Sequence, residues 1–231
     1  MRRRDADVRE LMDDPACDPV RLDRTYARFG IVNAVVAAPR RTYRRRIAPR
    51  LRTGGVRLLD IGTGGGDFPR AVVRWARRAA HPLDILAIDP DPRAYGWAMR
   101  GPHQHGLRIR QMTAEAVLDA GERFDVVHSN HVLHHLADDE VVELLRVSER
   151  LLRPGGVAVH RDIARSGLAF AAFALATLPF QPWLLRGTFI RPDGLTSIRR
   201  SRTARELSSL VPDGWEVRRG WPWRVEAVRA R

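Results

Sequence analysis

Lysine is absent from this sequence, so all 40 of its basic residues are arginine. Together with 27 acidic residues they give a formal net charge of +13, which raises nucleic acid as a partner. The arginines are scattered, apart from clusters at 2–4 and 40–46, and no basic patch is interleaved with aromatic residues. We therefore interpret the charge as a solvated basic surface and do not expect nucleic acid as a partner.

Cysteine is almost absent as well, because Cys17 stands alone. A single cysteine excludes an intramolecular disulfide and every cysteine-rich zinc pattern. Long apolar runs are also missing: the most apolar stretch, 167–185, is interrupted by Pro179 and Pro182, and a bilayer span needs about 20 uninterrupted residues. The charged N-terminus shows no secretory signal. The sequence therefore predicts a soluble cytoplasmic protein without stable membrane insertion.

Short β-rich runs alternate with helical runs from residue 56 onward. Strands are predicted over 56–61, 83–89, 107–112, 123–130 and 157–163, and helices over 67–80, 91–101 and 138–156. The final stretch, 215–230, has two alternating halves and predicts a closing hairpin with at least one antiparallel strand. This order predicts an α/β fold with a doubly wound, mainly parallel sheet.

The segments before and within this alternating region predict the domain organisation. Residues 1–54 are rich in helical patterns and are interpreted as an N-terminal helical cap, followed by the main domain over 55–231. Within that domain, 167–200 is interpreted as an inserted lid over the substrate. The apolar residues of the N-terminal helical segment allow two alternatives, association into a homodimer or folding back of the segment over the cleft.

The stretch "LLDIGTGGGDFP" at 58–69 places an acid at a strand end and then four glycines. Absent β-carbons let a ligand pack against the backbone, at the edge where ligands of open α/β sheets bind. Asp60 would repel a pyrophosphate but suits an ammonium group, and Asp89, at the second strand end, is placed to accept hydrogen bonds from a ribose diol. Asp67 stands where the dinucleotide fingerprint needs its third glycine, which disfavours a dehydrogenase. The alternative is that both acids are ordinary strand-end caps.

These motifs resemble the class I S-adenosylmethionine-dependent methyltransferases. "LLDIGTGGGDF", "AIDPDP", "RFDVVHSNHVLHHL" and "LLRPGG" follow in the order typical of that family over about residues 55–165. The resemblance implies a seven-stranded sheet with a reversed last strand, with S-adenosylmethionine as cofactor and S-adenosylhomocysteine as product. The cofactor-binding residues that it implies are Asp60, Gly62, Thr63, Gly64, Gly66, Asp89, Pro90, Thr113, Ala114, Glu115, Ser129 and Asn130. The family often has an acid where Thr113 stands, so Glu115 is an alternative contact for the adenine.

The acceptor is indicated by looser resemblances. Residues 26–46 resemble the N-terminal helical region of quinone-biosynthesis C-methyltransferases, and the segments 161–170 and 191–210 resemble bacterial methyltransferases associated with type III polyketide synthases. Both imply a small hydroxylated aromatic acceptor (phenolic, quinol or polyketide-derived), with O-methylation as the expected reaction. The substrate-binding candidates are Asn130, His131, His135, Phe170 and Phe173. The two phenylalanines could equally pack the lid on the core.

A base near the fourth strand end would assist attack by a phenol, whose pKa is near 10. His131 is the first candidate and Asp162, at the fifth strand end, the second; a salt bridge from Asp162 to the arginines of 199–205 is its alternative role. His134 and His135 are expected to pack or cap the following helix. His131 and His134 could pair on a metal, but without a third ligand in the pattern no metal is expected.

Three other functions stay open in the sequence. An RNA methyltransferase would use the arginines at 40–50 to hold phosphates, and would bind RNA with a steep salt dependence. A C-methyltransferase acting on a quinol would share the same motifs. A cofactor-binding regulator would bind S-adenosylmethionine without turnover.

Overall fold

The computed structural model describes residues 1, 3–36, 39–51 and 54–231. One seven-stranded sheet is formed by β1 (Val56–Ile61), β2 (Leu83–Asp89), β3 (Leu107–Gln111), β4 (Phe124–Asn130), β5 (Leu152–Ile163), β6 (Glu216–Gly220) and β7 (Arg224–Ala230). The strand order is β3-β2-β1-β4-β5-β7-β6. β1 to β5 run parallel, whereas β7 is antiparallel to both neighbours. The predicted fold class is confirmed, including the reversed last strand.

Helices precede the sheet, connect its strands and follow β5. Their bounds are α1 (Pro19–Val36), α2 (Pro39–Thr42), α3 (Ala48–Leu51), α4 (Asp67–Arg78), α5 (Pro92–Arg100), α6 (Ala114–Asp119), α7 (Asp138–Arg150), α8 (Gly167–Thr177), α9 (Ile190–Arg200) and α10 (Ala204–Ser208). A π-helical turn (Tyr43–Ile47) joins α2 to α3, and short 3-10 turns occur at Leu11–Asp13 and Leu178–Phe180. The boundary between the N-terminal cap and the main domain, placed at 54/55, stays a prediction. Residues 52 and 53, just before it, lie outside the described residues.

The boundary between the last predicted helix and the fifth strand needs correction. α7 ends at Arg150 rather than at the glycines, and β5 begins at Leu152 rather than at 157. Leu152 pairs with Phe124 of β4, and the register then shifts so that Val157 pairs with Val126. The residues between them bulge out, and Gly155 (φ 78°) takes a left-handed conformation that favours glycine.

The sheet is buried on both faces, which explains why its parallel strands read as continuous apolar runs. In β1 the consecutive residues Leu58 and Leu59 are both fully buried. They belong to apolar clusters on opposite faces, because successive side chains of a strand alternate. These two clusters hold the strands rigidly, so that the carboxyl ends of β1, β2 and β4 form a fixed edge.

Candidate active site

The glycine turn follows β1 directly at the carboxyl edge of the sheet. Gly62, Gly64 and Gly66 have φ values of 67°, 54° and 77°, which glycine adopts without strain. A β-carbon on Gly62 would lie 2.5 Å from Val132, because the chain leaving β4 packs against this turn. A β-carbon on Gly64 would meet nothing within 4 Å. The turn therefore offers an open, backbone-lined surface beside the end of β4.

Asp89 holds this turn from the end of β2. Its Oδ2 accepts a hydrogen bond from the Gly64 amide (2.8 Å), and its Oδ1 accepts one from the Asp91 amide (3.0 Å). Burial raises the pKa of Asp89, against the lowering effect of these amides. An ionised carboxylate has about four acceptor positions, so Asp89 retains capacity for further donors. Pro90, which follows, is exposed.

Thr63 contributes an unsatisfied group to the same turn. Its Oγ1 is buried and has no hydrogen-bond partner among the residues that the structure describes. A buried hydroxyl without a partner costs free energy, which a ligand that supplies one recovers. Thr63, Gly64 and Asp89, all predicted to bind the cofactor, thus lie together.

Asp60 is held more tightly than the sequence indicated. Its Oδ1 lies 2.8 Å from Nδ1 of His128, and both side chains are buried. The His128 ring stacks on Phe68, with 4.2 Å between ring centroids. One oxygen of Asp60 is therefore engaged with a neighbouring strand, and a contact to the cofactor stays a prediction.

The predicted adenine segment follows β3. Thr113 is the N-cap of α6, where its hydroxyl accepts a hydrogen bond from the Ala116 amide (3.3 Å). Ala114 is buried and Glu115 is exposed. Thr113 thus has a local structural role, and the contact of this segment with adenine stays a prediction.

Ser129 is engaged with the neighbouring strand. Its hydroxyl is fully buried and lies 2.7 Å from Nδ1 of His160, on the neighbouring strand β5. Burial lowers the pKa of His160 to about 3, so its ring is neutral. The hydroxyl is therefore engaged inside the sheet, and a contact of Ser129 with the cofactor stays a prediction.

Asn130 and His131 both contact Arg224, an arginine that lies outside the sequence motifs. Nη2 of Arg224 donates to Oδ1 of Asn130 (3.2 Å) and to Nε2 of His131 (2.9 Å). His131 has a left-handed backbone (φ 61°), which is uncommon for a residue with a side chain and costs about 1–3 kcal/mol. Alternation along β7 predicts that Arg224 shares a face with Glu226, but nothing local indicates that it reaches β4.

The state of His131 follows from that contact. Burial and the nearby Arg224 charge lower the pKa of His131 well below its ordinary value, so the ring is neutral. A guanidinium only donates, so Nε2 is the acceptor and the ring proton lies on Nδ1. The lone pair that would take a substrate proton is therefore already engaged. In this structure His131 is thus a neutral acceptor for Arg224, and its role as a base stays a prediction.

Asp162, the second candidate base, is engaged by His134, and its role as a base stays a prediction. It is buried, with Oδ1 2.7 Å from Nδ1 of His134 and Oδ2 accepting from the His134 amide (2.8 Å). Burial opposes ionisation, but His134 outweighs it and holds the pKa of Asp162 far below its ordinary value. The salt bridge expected with 199–205 is not found among the described residues, because Arg200 and Arg202 bind backbone carbonyls of 133–136 instead.

His134 bridges two buried carboxylates. Its second ring nitrogen, Nε2, lies 3.1 Å from Oε1 of Glu10, which also accepts from the Ser197 hydroxyl (2.7 Å). Burial would lower the pKa of His134, but Asp162 and Glu10 raise it to about 10. The ring is therefore an imidazolium at neutral pH, and it attaches the N-terminal segment to the sheet edge.

The structure brings Asp162 close to His131 and His134 as a third candidate metal ligand. Donor atoms of His131, His134 and Asp162 lie within 4.8 Å of one another. Each is already engaged, His134 by two carboxylates and His131 by Arg224. The expectation that no metal binds stays a prediction.

The remaining substrate-binding candidates lie in other surroundings. His135 faces the N-terminal segment, with its Nδ1 3.1 Å from Oδ2 of Asp13, and borders a cleft of about 1100 Å³. Phe170 and Phe173 pack on the apolar cluster of Ile163, Ala169 and Ile198. Their contact with an acceptor stays a prediction. No helix in the described part of the chain is both long and apolar enough to cross a bilayer.

The geometry agrees with comparisons to known proteins. A sequence profile of the family described as "Methyltransferase domain" matches residues 36–213. The chain belongs to this family. Its membership confirms the resemblance to class I S-adenosylmethionine-dependent methyltransferases.

Two curated relatives of this methyltransferase are named "Ubiquinone biosynthesis O-methyltransferase". That of Cereibacter sphaeroides (strain ATCC 17029 / ATH 2.4.9) is 36% identical over 153 residues, 63% of this chain and 59% of the relative. That of Azorhizobium caulinodans is 33% identical over 180 residues, 75% of this chain and 67% of the relative. The chain thus spans about three fifths to two thirds of the length of these relatives.

Solved structures share the methyltransferase fold at low identity. The plantazolicin methyltransferase BpumL in complex with S-adenosylhomocysteine has a TM-score of 0.56 and 12% identity, covering 92% of this chain and 96% of that one. Magnesium protoporphyrin IX methyltransferase from Synechocystis PCC 6803, with bound S-adenosylhomocysteine, has a TM-score of 0.53 and 15% identity, covering 95% and 90%. At these identities the likeness shows the fold alone.

Proposed function

We propose that this methyltransferase transfers the methyl group of S-adenosylmethionine to an oxygen of a small hydroxylated aromatic acceptor (a phenol, a quinol or a polyketide-derived phenol). One observation carries the proposal: the glycine turn and Asp89 lie at the same edge of the sheet as the polar group of Asn130 and His131. The relatives named for ubiquinone biosynthesis support a small acceptor rather than RNA.

The residues at this edge fit the cofactor. The open space beside Gly64 admits a ligand to the backbone, the Thr63 hydroxyl needs a partner, and Asp89 keeps acceptor capacity for a ribose diol. When bound, S-adenosylmethionine supplies an electrophilic methyl group on a positively charged sulfur. Asp89 and the turn would hold and orient the cofactor.

The acceptor would lie on the β4 side of the turn. Val132 touches Gly62, so the residues just before it, Asn130 and His131, border the space beside the turn. Methyl transfer is a direct displacement, and holding two reactants in line supplies a large part of such rate enhancements. The lid helices α8 and α9 carry Phe170 and the apolar cluster under it, which suits an aromatic ring.

An Asp89→Ala variant tests the cofactor site. We expect its affinity for S-adenosylhomocysteine, measured by titration calorimetry, to fall by about 1–3 kcal/mol, or about 5- to 150-fold, because donors would lose their partner. Asp84→Ala is the matched control, since Asp84 lies at the other end of β2 and pairs with surface arginines. Equal losses in both variants would contradict the assignment.

Transfer of a tritiated methyl group to a panel of catechols, quinols and resorcinols tests the reaction. We expect labelled methyl ethers, with the position of the methyl group determined by mass spectrometry. Methylation of ring carbon would make this a C-methyltransferase, and labelled RNA in place of a phenol would overturn the proposal. Association into a homodimer and a location in the cytoplasm stay predictions of the sequence.

A further inference from the structure

Arg224 is a buried cation at the edge where the acceptor would bind. It opens β7 and pairs in register with Ile163, the last residue of β5. Because β7 is antiparallel, its first residue lies at the carboxyl edge of the parallel strands. Only 2% of Arg224 is exposed.

The guanidinium of Arg224 is only partly satisfied. Nη2 donates to Asn130 and His131, whereas Nε and Nη1 are buried and have no hydrogen-bond partner among the described residues. Such unmade hydrogen bonds to a charged group are costly in a folded protein. The arrangement therefore lacks a component that accepts from these nitrogens.

The charged groups around Arg224 do not supply that component. Asp162 and Arg161 approach from β5 and Glu226 lies on β7 itself. Asp162 is committed to His134, and Glu226 accepts from Nε of Arg161 (2.9 Å). Burial and the Arg161 charge lower the pKa of Arg224 to about 10, so it remains a cation at neutral pH.

The two Arg224 nitrogens without a partner, Nε and Nη1, favour one class of anion over others. A carboxylate binds arginine best through two parallel hydrogen bonds, and both guanidinium edges that allow this include Nη2. The two protons of Nη2 are already donated to Asn130 and His131. The donors that remain are on Nε and Nη1, which share no edge of the guanidinium. Each of these two nitrogens suits an anion with one charged oxygen. An ionised phenol is such an anion.

We propose that Arg224 binds the acceptor as a phenolate and thereby determines that the acceptor is an ionisable phenol. This rests on the proposed function. The phenol proton leaves to solvent before transfer. The phenolate oxygen then uses a lone pair to bond the methyl carbon, while the carbon–sulfur bond breaks and its electron pair goes to sulfur. The products are a neutral aryl methyl ether and a neutral thioether.

In this account His131 and Asn130 are positioning residues. They fix the guanidinium through Nη2 and leave its other nitrogens for the acceptor. Both free nitrogens are covered by protein in this structure, so a side chain has to move before the acceptor reaches them.

The test uses 4-nitrocatechol, whose absorption spectrum reports its ionisation, bound to the full chain in the presence of S-adenosylhomocysteine. We expect the apparent pKa of the bound phenol to lie about 1–3 pH units below that of free 4-nitrocatechol, because a cation lies beside it. Arg224→Gln should return it to the free value, and Arg224→Lys should restore part of the decrease. Arg219→Gln removes an exposed charge from β6 of the same hairpin and should change nothing.

The outcomes separate this proposal from the function on which it rests. Bound 4-nitrocatechol with an unshifted pKa, or a shift that survives Arg224→Gln while S-adenosylhomocysteine still binds, would overturn the role of Arg224 alone. Stronger competition by 4-nitrobenzoate than by 4-nitrophenol would also overturn it, because a carboxylate would then be the preferred anion. No binding of 4-nitrocatechol would overturn the acceptor class, and the proposal with it.

Discussion

Replacing His134 by leucine is expected to lower the free energy of unfolding by about 3–5 kcal/mol at pH 7. The substitution leaves Asp162 and Glu10 as buried carboxylates without their shared cation. Breaking a buried ion pair by removing one partner is costly for this reason. Unfolding in guanidinium chloride, followed by circular dichroism, measures the change.

His135→Leu is the matched control for this substitution. Its side chain is 32% exposed and pairs with Asp13, which is also partly exposed. Such a pair contributes about 1 kcal/mol or less, so we expect a correspondingly small loss. Losses of equal size at the two histidines would show that His134 is not a buried bridge.

The contribution of the His134 bridge should also depend on pH. The folded-state pKa of His134 is raised from 6.5 to about 10, so its contribution is complete below about pH 6.5 and is lost as the pH rises through 10. Burial opposes ionisation of Glu10 and Asp162, but His134 outweighs it and lowers both pKa values from 4.5 and 3.8. Their contribution is present above these values and is lost as the pH falls. The stability difference between wild type and His134→Leu should therefore be largest between about pH 4.5 and 6.5.

A Gly64→Ala variant is expected to lose about 100-fold in affinity for S-adenosylhomocysteine, or about 2.8 kcal/mol. The φ of Gly64 is 54°, a conformation that costs an L-residue about 1–2 kcal/mol. The added methyl group would also occupy the open space beside the turn and disturb the amide that donates to Asp89.

Gly121→Ala separates backbone strain from loss of the ligand surface. Gly121 has a similar φ of 75°, and a β-carbon there also meets nothing within 4 Å. Thermal unfolding should show comparable destabilisation of the two variants, whereas calorimetry should show weakened binding only for Gly64→Ala. Weakened binding in both, or in neither, would mean that the turn is not the cofactor surface.

The sequence predicted the parts of the fold and site that depend on local pattern. Apolar runs and glycines predicted β1, β2 and the turn, and the motif placed Asp89 at the same edge because parallel strands end together. The start of β5 was missed, because the pairing of Leu152 with Phe124 depends on the neighbouring strand rather than on local propensity.

The polar contacts of the site depend on tertiary structure and could not be predicted from motifs. Arg224 is 94 residues from Asn130 in the chain, and only the insertion of β7 beside β5 brings it to β4. The motif does not tell which face of β4 each residue occupies, so it does not predict the contact of the Ser129 hydroxyl with His160. A sequence also does not show which lone pairs are engaged, as those of His131 and Asp162 are in this structure.

Titration calorimetry of the wild-type chain with S-adenosylhomocysteine tests most directly whether the carboxyl edge of the sheet binds the methyl donor. We expect saturable binding to one site with a micromolar Kd, weakened by Asp89→Ala and unchanged by Asp84→Ala. Absence of binding to the folded wild-type chain would rule out this site, and the glycine turn would then need a different ligand.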